Sequence, residues 1–183
     1  MASDFLIRHA AHTIRRGGII AYPTDTIYGL GCDPYNAGAV ASINDNKQRP
    51  RSKQFILLAG HIDQVAPLVD LDRDQQHKIT RAPEPTSWVI EARPSAPAWL
   101  VSPGGTITIR ISQQHDVQRL CQALGHAIIS TSANPSGKPP ARNSLELHRY
   151  FHDRLDVILA SHEMLIAKPS KVIRLCDNYV IRQ

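Results

Sequence analysis

The stretch Gly18-Ile19-Ile20-Ala21-Tyr22-Pro23-Thr24-Asp25-Thr26-Ile27-Tyr28-Gly29-Leu30-Gly31-Cys32-Asp33 decides how the rest of the chain is read. Ile19, Ile20 and Ala21 predict a short buried strand. The polar segment after it carries two threonines, an aspartate, a tyrosine and two glycines. Pro23 fixes φ, and Gly29 and Gly31 permit backbone conformations and close approaches that other residues resist. Open α/β sheets bind ligands where such groups gather at the carboxyl ends of strands. The alternative is a turn that is merely polar.

Upstream, Ser3 caps a predicted helix over Asp4–Arg16 with Leu6, Ile7, Ala10, Ala11 and Ile14 on its inner face, stopped by Gly17-Gly18. Downstream, Asn36 caps a helix over Ala37–Asn46, and Phe55–Ala59 is a second buried strand. Helical spacing is also present over His61–Leu68 and Arg73–Arg81. Strands are expected at Thr86–Ala92, Thr106–Ile111, Ala127–Thr131 and Val157–Leu159, and helices at Asp116–Leu124 and Leu145–Phe151. Val172–Leu175 and Tyr179–Arg182 form a closing hairpin around Asp177-Asn178. Alternating helices and buried strands imply one α/β domain over residues 1–183, with a twisted mixed parallel/antiparallel sheet flanked by helices.

Composition narrows the function classes. The chain has 183 residues, 42% hydrophobic and 20% charged, with a net charge of +5. That basic balance suits phosphate-bearing ligands or RNA. With only 5% aromatic residues, stacked platforms for single-stranded nucleic acid are not expected. Cys32, Cys121 and Cys176 are far apart and form no CxxC pair, which argues against a disulfide framework or a thiolate zinc site and for a reducing, cytoplasmic setting. No apolar leader occupies Met1–Arg16 and no 18 apolar residues run together, so neither export nor a membrane span is expected.

Three segments share a pattern of strand and polar loop: Tyr22–Asp33, Lys47–Lys53 (KQRPRSK) and Ser130–Arg142 (STSANPSGKPPAR). Hydroxyls, an asparagine amide and backbone N–H groups suit the oxygens of a nucleotide or an amino acid. Lys47, Arg49, Arg51 and Lys53 place four cations within seven residues, which is either a solvated loop or an anion site. Familiar phosphate loops are absent. Ser136-Gly137-Lys138 runs into Pro139, and Gly29-Leu30-Gly31 lacks the third glycine of a dinucleotide fingerprint. His148/His152 and His9/His12 have metal-ligand spacing but no third ligand nearby. Cys32 has no histidine partner and reads as a small packing residue.

In this order, PTDTIYGLGCDP, KQRPRSK, TITIRI, STSANPSG and KPSKVIR resemble the YrdC-like threonylcarbamoyl-AMP synthases over essentially the whole chain. The resemblance implies a YrdC-like fold with a basic concave face. It also implies formation of threonylcarbamoyl-adenylate and pyrophosphate from L-threonine, bicarbonate and ATP. Partner proteins downstream then transfer the threonylcarbamoyl group to N6 of adenosine 37 in tRNAs that read codons beginning with A. By that resemblance Lys47 and Arg49 are catalytic cations. Arg49, Lys53, Thr106, Asn134, Arg142 and Arg182 face ATP, while Thr26, Arg110, Ser132 and Ser170 face threonine. Mg²⁺ is expected on the phosphates, with no protein metal site, and weak RNA contact is an accessory property. Two places depart from the family pattern: Glu84 replaces a glycine in Pro83-Glu84-Pro85-Thr86, and Lys171 replaces a threonine in Pro169-Ser170-Lys171-Val172. The rival reading is a non-catalytic RNA-binding or ribosome-assembly module.

Overall fold

A computed structural model describes residues 1–50, 53–160, 165 and 168–183. Helix α1 (Asp4–Arg15) starts where the Ser3 hydroxyl accepts the Leu6 N–H, and its Ile7, Ala10, Ala11 and Ile14 are buried. Leu6, expected on the inner face, is 39% exposed. It lies a full 100° of helical rotation from Ile7, outside the stripe that the other four residues form.

The deciding stretch folds differently from the strand and loop expected of it. Strand β1 (Ile20–Pro23) turns at residues 24–27 and returns as β2 (Tyr28–Gly31), antiparallel, with Ile20 opposite Gly31 and Pro23 opposite Tyr28. The two glycines are therefore strand residues, and their purpose is room for a ring. A Cβ on Gly31 would stand 2.7 Å from Tyr22 Cε1 and 2.9 Å from the Ile129 carbonyl oxygen. Tyr22 is fully buried over them.

Helix α2 (Ala37–Lys47) takes in Lys47, which the sequence placed in the following loop, and ends on Gln48 in the left-handed region at φ 51°. Strand β3 (Ile56–Ala59) follows. Over His61–Leu68 only one 3₁₀ turn forms, Ile62–Val65, because Pro67 cannot supply an N–H to a longer helix. Next come α3 (Arg73–Thr80), β4 (Thr86–Glu91), β5 (Thr106–Ile111), α4 (His115–Leu124), β6 (Ile128–Ser132) and α5 (Ser144–Phe151). Strands β7 (Val157–Ile158), β8 (Lys171–Arg174) and β9 (Val180–Arg182) complete the chain. The described residues form a sheet in the order β7-β1-β2-β6-β3-β5-β4-β8-β9. Pairs β1–β7, β3–β5 and β4–β8 are parallel, and the remaining neighbours antiparallel.

Apolar clusters cover both faces of the sheet, among them Ala21, Tyr28 and Leu30 packed with Leu147 and Phe151 of α5. Leu57, Ile107, Ile109 and Ile129 pack beneath α2 and α3, while Ile20, Tyr22, Leu58 and Ile128 pack beneath α1 and α4. Side chains two apart on a strand share a face. On β6 the series Ile128, Ser130, Ser132 therefore begins under α1 and α4 and ends in hydroxyls, where those helices no longer cover the sheet. The site lies on that uncovered part of the face. None of the helices among the described residues is long and apolar enough to cross a membrane. Of the spaced histidines, His148 lies on α5, which ends at Phe151, and His152 follows the helix with φ 46°. Among the described residues no three His, Cys, Asp or Glu side chains gather as a metal would need. Cys32 is buried and its thiol is raised by desolvation, in keeping with a packing role.

Candidate active site

A cavity of about 280 Å³ opens on the exposed part of the sheet. Its wall combines Thr24, Thr26 and Ile27 of the turn with Tyr28 and Gly29 of β2, Arg49 and Gln54–Ile56, Thr108 and Arg110 of β5, Ser130–Ser132 of β6, Ser170 and Val172, and Arg182 of β9. Among the described residues, three arginines and no carboxylate line it. The site is thus built to receive anions, with hydroxyls set among the cations.

Arg110 is the most deeply placed cation, its side chain 4% exposed. Alternation along β5 puts Ile107 and Ile109 in the core and Thr108 and Arg110 in the cavity. Arg110 Nη1 donates to Thr26 Oγ1 at 3.3 Å, and Nη2 stands 3.3 Å from Asp25 Oδ1. Asp25 also accepts from the Ser112 hydroxyl at 2.9 Å. The turn itself is tied by Thr24, whose Oγ1 accepts from the N–H groups of Thr26 and Ile27 and donates to the Ile27 carbonyl at 2.7 Å. The Thr24 and Thr26 hydroxyl oxygens stand 3.0 Å apart. Thr26 Oγ1 is thus an acceptor beside a guanidinium that donates. That pairing complements an amine next to a carboxylate, which is the headgroup of an α-amino acid.

Arg49 is fixed from three sides. Nη1 donates to Thr131 Oγ1 at 2.9 Å, Nη2 donates to the Gln54 carbonyl, and the guanidinium lies 5.0 Å over the Phe55 ring. Arg182 donates from Nε and Nη2 to the Ser170 carbonyl at 3.1 and 2.8 Å. Burial pushes both guanidinium pKa values down from the ordinary arginine value, and Arg110 adds to the effect at Arg182. Ser170 is buried and shares a 2.8 Å hydrogen bond with Ser87, where β8 starts beside β4.

Of the residues expected to face ligands, Thr26, Arg49, Arg110, Ser132, Ser170 and Arg182 meet in this cavity. Five others do not line it. Lys47 is 3% exposed behind the wall; its ammonium donates to the carbonyls of Ser132 and Asn134, the latter at 2.6 Å, and to Asn134 Oδ1 at 3.4 Å. Asn134 uses its amide within its own loop, donating to the Pro135 carbonyl at 3.0 Å. Thr106 pairs with the Ser102 hydroxyl at 2.8 Å, toward the start of β5. Arg142 is exposed and pairs with Glu146 at 3.3 Å. Lys53 borders a neighbouring recess with Asn44 and Trp99. Arg51, part of the same basic run, lies outside the described residues. Sequence reasoning missed Asp25, Thr108, Ser112 and Thr131. Thr108 was within reach of it, since it stands two residues from Arg110 on an alternating strand.

The Sua5/YciO/YrdC family model, described as "Telomere recombination", matches residues 12–183. The chain belongs to this family. It is 37% identical over 178 residues to the threonylcarbamoyl-AMP synthase of Cellvibrio japonicus, covering 96% of this chain and 94% of that protein. Its fold superposes on P. abyssi Sua5 complexed with L-threonine with a TM-score of 0.87 and 26% identity, over 95% of this chain. The match spans 52% of the Sua5 chain, so this chain accounts for about half of that protein. E. coli YciO matches with the same TM-score and identity over 100% of this chain and 91% of its own. Membership of the Sua5/YciO/YrdC family agrees with the resemblance carried by the five sequence motifs and with the mixed sheet.

Proposed function

We propose that this chain is a threonylcarbamoyl-AMP synthase, a nucleotidyltransferase that makes threonylcarbamoyl-adenylate and pyrophosphate from L-threonine, bicarbonate and ATP. The observation that carries the reading is the Thr26–Arg110 pair, an acceptor and a guanidinium donor side by side in a cavity lined by cations. The curated relatives of the same length carry that enzyme name.

In this reading the threonine carboxylate pairs with Arg110 and the amine faces Thr26, while Ser132 and Ser170 supply further hydroxyls. The amine adds to CO₂ formed as bicarbonate loses hydroxide, and the proton the amine gives up joins that hydroxide as water, leaving a carbamate. A carbamate oxygen then forms a bond to the α-phosphorus of ATP, and the bond from that phosphorus to the β-phosphate oxygen breaks, releasing pyrophosphate. Both reactants are anions, so the barrier is repulsion and alignment. Arg49 and Arg182, held rigidly by Thr131, Gln54 and Ser170, reduce the first without reorganising. Lys47 serves by fixing the Ser132–Asn134 segment through its ammonium, and Asn134, Thr106, Lys53 and Arg142 lie beyond the cavity as outer contacts for the nucleotide.

Mg²⁺ travels on the ATP phosphates. Asp25 is already engaged by Arg110 and Ser112, and among the described residues no carboxylate lines the cavity, so no step is assigned to the metal. The product passes to the proteins that modify adenosine 37 of tRNA, in the cytoplasm. A recessed guanidinium with matched hydroxyls has no use in a module that only grips RNA phosphates, which disfavours the rival reading.

The test is the complete reaction with purified protein, following pyrophosphate release and threonylcarbamoyl-adenylate by mass spectrometry. Omitting L-threonine or bicarbonate abolishes both products. Pyrophosphate release that continues undiminished without either one overturns the proposal.

A further inference from the structure

Arg110 is a buried cation whose one carboxylate partner is not on the cavity wall. Asp25, 14% exposed, has Oδ1 3.3 Å from Nη2 and lines an adjoining recess that shares Thr26 and Ser170 with the cavity. Asp25 is held in turn by Ser112, whose Oγ accepts the Gln114 N–H at 3.2 Å and so has its single proton free for the carboxylate at 2.9 Å. On the other side, Arg110 Nη1 reaches Thr26 and the open cavity. Nε is buried without a partner. A ligand carboxylate entering the cavity would thus place a second anion on a guanidinium that already has one.

We propose that Asp25 is a resident counter-ion of Arg110, which stabilises the empty site and lowers its affinity for the substrate carboxylate. The inference rests on the amino-acid reading given above and goes further by naming what sets the affinity. Without Asp25, the guanidinium would be a buried charge with hydroxyl contacts alone, a costly arrangement. With it, Arg110 is neutralised and oriented before substrate arrives, and the incoming carboxylate must share it. Ser112 decides how the sharing falls. Its hydroxyl takes up part of the Asp25 charge, and the part left over is what competes with the ligand.

Titration calorimetry with L-threonine tests this on the wild-type protein, Asp25→Asn and Ser112→Ala. Asp25→Asn keeps an oxygen to accept from Ser112 and Arg110 but removes the charge. It is expected to bind L-threonine about tenfold more tightly and to melt at a lower temperature when empty, with the loss recovered at saturating threonine. Ser112→Ala leaves the carboxylate more dependent on Arg110 and is expected to weaken threonine about threefold. L-Threoninol, which has the amine and hydroxyl but no carboxylate, is expected to show no tightening in Asp25→Asn. Unchanged or weaker threonine binding by Asp25→Asn overturns the inference, as does equal tightening of threoninol. If Asp25→Asn does not fold, unaltered threonine binding by Ser112→Ala overturns it. Failure of the wild-type protein to bind threonine overturns the amino-acid reading itself, and this inference with it.

Discussion

Glu84 Oε1 stands 3.2 Å from Lys171 Nζ, so the two places where this chain departs from the family pattern are each other's partner. Ser170, next to Lys171, and Ser87, three residues after Glu84, share a hydrogen bond where β4 and β8 run parallel. The acid in place of glycine and the cation in place of a hydroxyl therefore act as one change. The pair is partly exposed, at 59% and 31% for the two side chains, so its energy is that of a surface ion pair, about 0–1 kcal/mol. A double-mutant cycle of Glu84→Ala and Lys171→Ala, read by urea denaturation, is expected to give a coupling in that range. Threonine KM is expected to change less than threefold, because neither side chain lines the cavity.

Lys47 makes stability depend on pH. Burial, aided by Arg49 and Lys53, lowers its pKa from 10.5 to about 7. Between those two values the unfolded chain holds a proton that the folded chain has released, so stability rises with pH there and is flat below about 7. Cys121, raised by burial to about 12, pulls the other way once its unfolded form ionises near 9. The window free of that opposition is about pH 6.5 to 8.5, where Lys47 is expected to add about 2 kcal/mol. Urea denaturation at the two ends, compared with Lys47→Met, checks it: the variant loses the rise.

Arg49 tests the nucleotide side of the cavity. Arg49→Lys keeps a charge but gives up the fork that reaches Thr131 and Gln54 together and the stacking on Phe55. Steady-state kinetics are expected to show turnover at least tenfold lower, with threonine KM within threefold of the wild-type value. A selective rise in threonine KM would instead place Arg49 on the amino acid.

Gly31→Ala is expected to destabilise the protein by roughly 2–3 kcal/mol, since the added methyl would meet the Tyr22 ring and a backbone oxygen of β6. Tyr22→Phe does not relieve the cost, because the contact is with a ring carbon. Gly29→Ala meets its neighbours only at 3.3 Å and is expected to cost less while narrowing the cavity it lines. Urea denaturation of the three variants orders them.

Much of the fold was legible because its signals are local. The run Thr106–Ile111 alternates so strictly that strand, boundaries and faces all follow from it, and β5 matches residue for residue. The hairpin of β1 and β2 was not legible, because glycines in a polar stretch look alike whether they loosen a turn or admit a ring. Only the buried Tyr22 distinguishes the two, and it meets them from the opposite strand. Within the site, Arg110 on β5, Ser132 on β6 and Arg182 on β9 line one cavity, whereas Thr106, which shares the parity of Arg110, sits too near the start of β5 to reach it. Lys47 was misplaced from loop to helix end because Gln48 adopts a left-handed cap that its side chain does not announce. Asp25 and Ser112 are 87 residues apart, and a hydrogen bond between them has no signature in either neighbourhood.

The hydroxyl protons of Thr24 and Ser112 are already directed before a ligand enters, one within the turn that carries Thr26 and one onto the aspartate that holds Arg110, so the site has handedness as well as charge. Arg110 and Thr26 give two fixed points of attachment, and the hydroxyls of Ser132 and Ser170 mark the direction left for a third substituent. A mirror-image amino acid that satisfies the first two points turns its side chain the other way. Stereochemical selection is thereby written into the direction of a few O–H bonds.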